Sequence, residues 1–248
     1  MNTDNRDEFF LGYASEIPRG IKQLLLKFIP LLVISTIAFA IIIPLVHDHF
    51  NSGKVGSLTD FEGLLLTEPV PHIMVPTDDN NYSRYVLSGR GKTAAKPEIL
   101  EHAGQWVKLA GSPINRNNAT IIAARSAEVI EPPTTEIVNP KAGKSLGVFN
   151  LTGEIIDSKC YLGTMKPGQT KTHRGCAIRC ISGGVPPALI THNQQGDEIY
   201  LALVDSQGKA INERILDLVA DPVKITGEVV QYNDLFVLKA DPDSYKLL

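Results

Sequence analysis

All three cysteines of this sequence lie in one short stretch, CYLGTMKPGQTKTHRGCAIRC, residues 160–180. The same stretch holds His173 and Met165. Thiolates, imidazole and thioether are metal-binding groups on the soft side of the scale. Cys176 and Cys180 are four apart, so a helix would present both on one face. His173, three residues before Cys176, shares that face. Cys160 arrives separately, from the end of the strand-like GEIIDSK. The spacing predicts a short helix with residues 176–181 as its body, Thr172 as its cap and Gly183-Gly184 as its end. Cys160, His173, Cys176 and Cys180 then converge as a four-ligand set, with Met165 as a further donor. Zinc, copper(I) or an iron–sulfur centre suits these donors, and Met165 tilts the set towards copper. The spacing is neither that of a zinc ribbon nor the Cys-x-x-Cys-His of haem attachment. A Rieske centre would need a second histidine.

The same residues support two other chemistries. Cys160 paired with Cys176 or Cys180 would staple the stretch by a disulfide, worth about 3 kcal/mol for a loop of this size, and would leave one thiol over. A low-pKa exchange thiol is the other. Lys159, Lys166, Lys171, Arg174 and Arg179 stand against the single Asp157, and such a basic surround favours thiolate and attracts an acidic partner.

The elements that must position this stretch show themselves as a repeat. Residues 106–124, WVKLAGSPINRNNATIIAA, align without a gap on residues 222–240, PVKITGEVVQYNDLFVLKA, at an offset of 116. The match extends upstream, where YVL at 85 meets LAL at 201. The opening strands, EGLLL and TGEII, align at an offset of 90, Gly63 on Gly153. The difference, 116 − 90 = 26, is the length of an insertion in the second copy only, and the cysteine stretch fills it. Each copy reads as three strands, a short helix (PEILEHAG, ERILDLVA) and two more strands, the order of a small OB-like barrel.

One segment belongs to neither copy. Residues 28–46, FIPLLVISTIAFAIIIPLV, carry no charge. At 1.5 Å per residue they span about 28 Å, the hydrocarbon thickness of a bilayer. No small-x-small cleavage pattern follows, which reads as an uncleaved anchor. Arg6, Arg19, Lys22 and Lys27 precede the span and only Lys54 follows closely, which keeps the N-terminus in the cytoplasm and the rest outside it. Pro30 and Pro44 mark its two ends.

The fold class expected is therefore mainly β: a single transmembrane helix, then two tandem OB-like barrels, the second with a Cys/His-rich insertion at 157–187. The divisions are 1–27 (cytoplasmic and interfacial), 28–46 (span), 59–131 (first barrel), 132–147 (linker) and 148–248 (second barrel). A net charge of −3 and a single tryptophan argue against nucleic acid as a partner, despite the OB-like order. His47 and His49 read as interfacial, His72 as a loop residue between prolines with Met74 close by, and His102 and His192 as surface residues. No catalytic triad, phosphate-cradling loop or paired carboxylates stand out, so no stand-alone enzyme activity is expected.

The segment GEIIDSKCYLGTMKPG…HRGCAIRCISGGVPP, residues 153–187, resembles one found in uncharacterised bacterial membrane-anchored proteins that accompany respiratory redox enzymes. The resemblance transfers no catalytic residues. It implies an accessory subunit of a membrane oxidoreductase complex, anchored in the bacterial inner membrane with its bulk in the periplasm. The reading from another class is a non-catalytic assembly module whose disulfide-stapled basic loop docks a partner protein.

Overall fold

The computed structural model describes residues 17, 19–50, 52–77, 81–117, 119–132 and 143–248. Most of the 1–27 segment and most of the 132–147 linker lie outside the described residues. Two units are distinct, residues 1–49 and residues 50–248.

The first unit is one helix, α1 (Arg19–Asp48), long and apolar enough to cross a membrane. It begins before the uncharged run, so Pro30 sits inside the helix and not at its start. Transmembrane helices tolerate such a proline because Ser, Thr and local backbone adjustments satisfy the freed carbonyls. Ser35 and Thr36 hydroxyls both donate to the Leu32 carbonyl, further along the helix than the Leu26 carbonyl that Pro30 leaves free.

The second unit holds both barrels. In the first, β1 (Lys54–Val55), β2 (Thr59–Leu66), β3 (His72–Pro76), β4 (Tyr82–Ser88), β5 (Trp106–Arg116) and β6 (Ala119–Val129) form one sheet, with α2 (Pro97–Leu100) between β4 and β5. The order is β1-β5-β2-β3-β4-β6, and β5 also pairs β6, which closes the barrel. The β4–β6 pair is parallel. The second barrel repeats this with β7 (Lys144–Asp157), β8 (Pro187–His192), β9 (Glu198–Val204), β10 (Pro222–Tyr232), β11 (Leu235–Lys239) and β12 (Lys246–Leu247). Its order is β11-β9-β8-β7-β10-β12, closed by β10–β11, with β9–β11 parallel. This is the OB-like connectivity twice over.

The offset of 116 is met by whole strands: β4 on β9, β5 on β10, and the start of β6 on that of β11. The turn residues Asn117 and Asn233 carry the same left-handed φ, 52° and 54°. Gly63 and Gly153 are held for one reason. A Cβ on Gly63 would stand 2.3 Å from the Met74 carbonyl oxygen, and one on Gly153 would stand 2.2 Å from that of Ile190. The extra residues of the second copy emerge between β7 and β8, as the arithmetic required.

Two details differ from expectation. ERILDLVA forms two 3₁₀ turns, Asn212–Arg214 and Leu216–Leu218, in place of a helix. Val219 bridges to Ile155 and the Ala220 amide donates to the Ile155 carbonyl, which draws the chain onto β7 before a helix can lengthen. His72 is not a loop residue but lies fully buried on β3, with Met74 buried beside it. His102 is half-buried and His192 exposed.

Each barrel has its own apolar interior, with Leu65, Ile73, Val107 and Ile122 in the first and Ile155, Leu189, Val223 and Leu238 in the second. A third cluster joins them: Val86, Ile114 and Ile121 of the first barrel pack with Ile156, Leu162, Val230 and Val237 of the second. Burial of this shared surface makes the two barrels one body.

Candidate metal centre

After β7 the chain makes a wide turn, Cys160–Thr164, in which the Met165 amide donates to the Cys160 carbonyl at 3.3 Å. It then runs to α3 (Arg174–Ser182) and returns through Gly183-Gly184 to β8. The cap of α3 is His173 and not Thr172. The Thr172 hydroxyl is bound to that of Thr170.

Asp157 organises the turn. It is fully buried at the end of β7. Its Oδ1 accepts the Cys160 amide at 2.8 Å, and its Oδ2 meets His173 Nε2 at 3.0 Å. One carboxylate therefore ties the strand end to the start of α3. A buried carboxylate is tolerated when its oxygens are taken up in this way.

The three thiols meet. Cys160 Sγ lies 3.9 Å from Cys176 Sγ and 3.8 Å from Cys180 Sγ, and all three lie within 4.8 Å of one another. A disulfide would need about 2.05 Å. Two thiolates bound to one tetrahedral metal at about 2.3 Å stand about 3.8 Å apart, and that is the spacing seen. A triangle this small closes round a single ion and not round a cluster of several irons. Asp157, Cys160 and His173 form a second group of donor atoms within the same 4.8 Å limit, sharing Cys160 with the first. The structure brings the three thiols together and places His173 with Asp157 against Cys160, but His173 shares no group with Cys176 or Cys180. Met165 stands apart in character: its side chain is 41% exposed, whereas Cys160 and Cys180 are buried.

The thiols sit in unlike environments. Hydrogen bonding with Cys180, together with burial, holds the Cys160 thiol well above its ordinary range. The Cys180 thiol is pulled down, chiefly by the hydrogen bond from Cys160 and further by the Lys92 charge. The pair thus favours a proton on Cys160 and negative charge on Cys180. A soft cation entering would displace the remaining protons, because only thiolate is a good ligand.

The first barrel closes the site. Lys92, on the loop between β4 and α2, donates to Cys176 Sγ and approaches Cys180 Sγ at 4.0 Å. Lys159, 6% exposed, reaches the opposite way and donates to the carbonyls of Gly89 and Gly91 at 2.5 and 2.9 Å. Burial depresses its pKa. The Ala94 amide donates to the Gly183 carbonyl at 2.7 Å. Loop 89–95 therefore lies over the insertion, and the half-buried Cys176 with exposed Lys92 forms the doorway.

Sequence reasoning missed Lys92 as part of the site, and it counted Asp157 and Lys159 only as charges. The Asp157 signal was available: an aspartate three residues before Cys160 is well placed to accept its amide. Lys92 carries no signal, because it belongs to the other copy.

No protein family matches the sequence, and no curated protein matches it significantly. Among solved structures, a deletion mutant of the single-stranded DNA-binding protein from Thermus aquaticus aligns at 13% identity over 79% of this chain and 92% of that one, with a TM-score of 0.22.

Proposed function

We propose that this protein is a membrane-anchored accessory subunit of an extracytoplasmic oxidoreductase complex, and that its inserted loop binds one soft metal ion. Cys160, Cys176 and Cys180 supply three thiolates, and the Asp157–His173 pair supplies the fourth donor. The observation that carries the metal reading is the sulfur triangle at 3.8 and 3.9 Å, walled by a buried carboxylate–histidine pair. Copper(I) and zinc both fit three thiolates at that spacing. The apolar α1 and the basic residues before it support an anchor with the barrels outside the cytoplasm. The resemblance of residues 153–187 to segments accompanying respiratory enzymes supports the place in a complex.

The test uses the full chain in detergent, purified without chelator and without reductant. Elemental analysis should give one copper or zinc per chain, with no thiol reactive until denaturation. A disulfide and no metal would overturn this reading in favour of a stapled docking loop. Gentle extraction should co-purify subunits of a membrane oxidoreductase; a chain that elutes alone with its metal would remove the complex and keep the centre.

A further inference from the structure

The two barrels also enclose a cleft of about 440 Å³, within the size range of small-molecule sites. Its walls are mostly carbon. Val86 and Ala119 come from the first barrel, and Phe149, Leu201, Leu235 and Phe236 from the second.

Among the described residues, four charged side chains line the cleft, and they cancel. Arg116 Nη2 holds Glu198 at 2.6 Å across the barrels. Asp234 accepts the Arg84 backbone amide at 2.7 Å; burial lowers the Arg84 pKa and the Asp234 charge offsets part of that. A charged occupant would leave one charge uncompensated against this balanced set, whereas an uncharged one leaves the Arg116–Glu198 pair intact. The rings of Tyr85, Phe149 and Phe236 line the walls and suit a flat ring, whereas the faces of Tyr161 are already covered. The Arg116 guanidinium lies 4.2 Å over the Tyr161 ring, which stacks on Tyr200. Each guanidinium Nη carries two hydrogens, so the two bonds of Arg116 to Glu198 and the Tyr161 carbonyl leave donors for an oxygen acceptor. At the rim, Leu146 and Phe149 stand 39% and 42% exposed, an apolar lip at the mouth of an apolar cleft.

We propose that this cleft binds a small, uncharged, flat ring compound bearing carbonyl oxygens, of the quinone class. Tyr161, in its wall, is the residue next to Cys160. Tyr161 packs into the core between the barrels and Cys160 into the thiol cluster, and the binding does not rest on the metal-centre reading.

The probe is menadione, titrated by calorimetry into the full chain in detergent against matched empty micelles. Saturable binding at one site is expected. The anionic 1,4-naphthoquinone-2-sulfonate should bind at least tenfold more weakly. Ala119→Trp, which fills the cleft, should weaken menadione at least tenfold. Phe149→Asp, a rim change that spares the core, should weaken it several-fold and serves if the tryptophan variant misfolds. Cys180→Ser should bind menadione as the wild type does, which separates this proposal from the metal reading. Binding no greater than micelle partitioning, equal or tighter binding of the sulfonate, or cleft variants that bind normally would overturn it.

Discussion

The two barrels share their five-strand connectivity and a left-handed asparagine in the same turn, yet one connection differs far more than the rest. In the first, residues 67–71 join β2 to β3; in the second, residues 158–186 join β7 to β8 and carry every thiol of the chain. The barrel is a frame that closes with or without the long connection. The plain copy has not remained idle, because its loop 89–95 supplies the lid over the thiols of the other. The difference teaches a division of labour in which one repeat carries the donors and its sibling encloses them.

The strongest way to break that comparison is to make the copies alike. Replacing residues 158–186 by a connection of the first-copy length should abolish metal binding by elemental analysis while the β-sheet circular dichroism persists. Loss of the fold would show that the insertion belongs to the core. Next in size, Cys180→Ser should lower metal affinity at least 100-fold in competition with a chelator. Asp157→Asn, which keeps the shape and removes the charge, should cost roughly ten- to 100-fold, as outer-shell partners of metal ligands do.

A third test uses a pair of equivalent positions. His72 of the first barrel corresponds, at the offset of 116, to Ala188 of the second, and both are fully buried. Arg84 Nη1 can only donate, so at 2.7 Å His72 Nε2 is the acceptor, and Nδ1–H donates to the Val70 carbonyl at 2.8 Å. Burial lowers the His72 pKa from 6.5 to about 4. The unfolded chain therefore binds the proton first as pH falls. The stability is whole above pH 6.5 and declines towards pH 4, by about 3 kcal/mol at pH 4. Urea unfolding at pH 7 and pH 4 measures it. His72→Ala, which copies the second barrel, should remove this part of the pH dependence at a cost in stability at pH 7.

Smaller effects sharpen the picture. Lys159→Met removes two charged hydrogen bonds to the lid and should cost about 2 kcal/mol in denaturant unfolding. Asn117→Ala should cost about 1 kcal/mol, the penalty of a Cβ residue at left-handed φ without the asparagine amide. Asn233→Ala should cost about 1 kcal/mol more, because Asn233 Oδ1 also accepts Arg84 Nε at 2.9 Å. Equal costs would mean that the Arg84 contact contributes nothing.

What the sequence made legible was local or repeated. The strands declared themselves through alternation and a shared offset, the insertion through simple subtraction, and the thiols through their crowding. What stayed hidden depends on how the two copies dock. Lys92 lies 84 residues from Cys176, and no spacing rule links them. His72 looked like a loop residue because prolines flank it, but its ring is sheltered by Arg84, which is itself held by Asn233 and Asp234 of the other barrel. Thr172 had the composition of a cap, and Thr170 captured its hydroxyl. The cleft between the barrels has no sequence signature, since its walls come from both copies.

The lid over the sulfurs is built by the part of the chain that leaves the ribosome first. Loop 89–95 can be in place, on a finished barrel, before residue 160 emerges into the compartment where the chain folds. Three reduced thiols then emerge beside a cover that already stands, which shortens the time they spend bare to oxidants or stray metals. Had the insertion fallen in the earlier copy, the same thiols would have waited for their shelter to be synthesised.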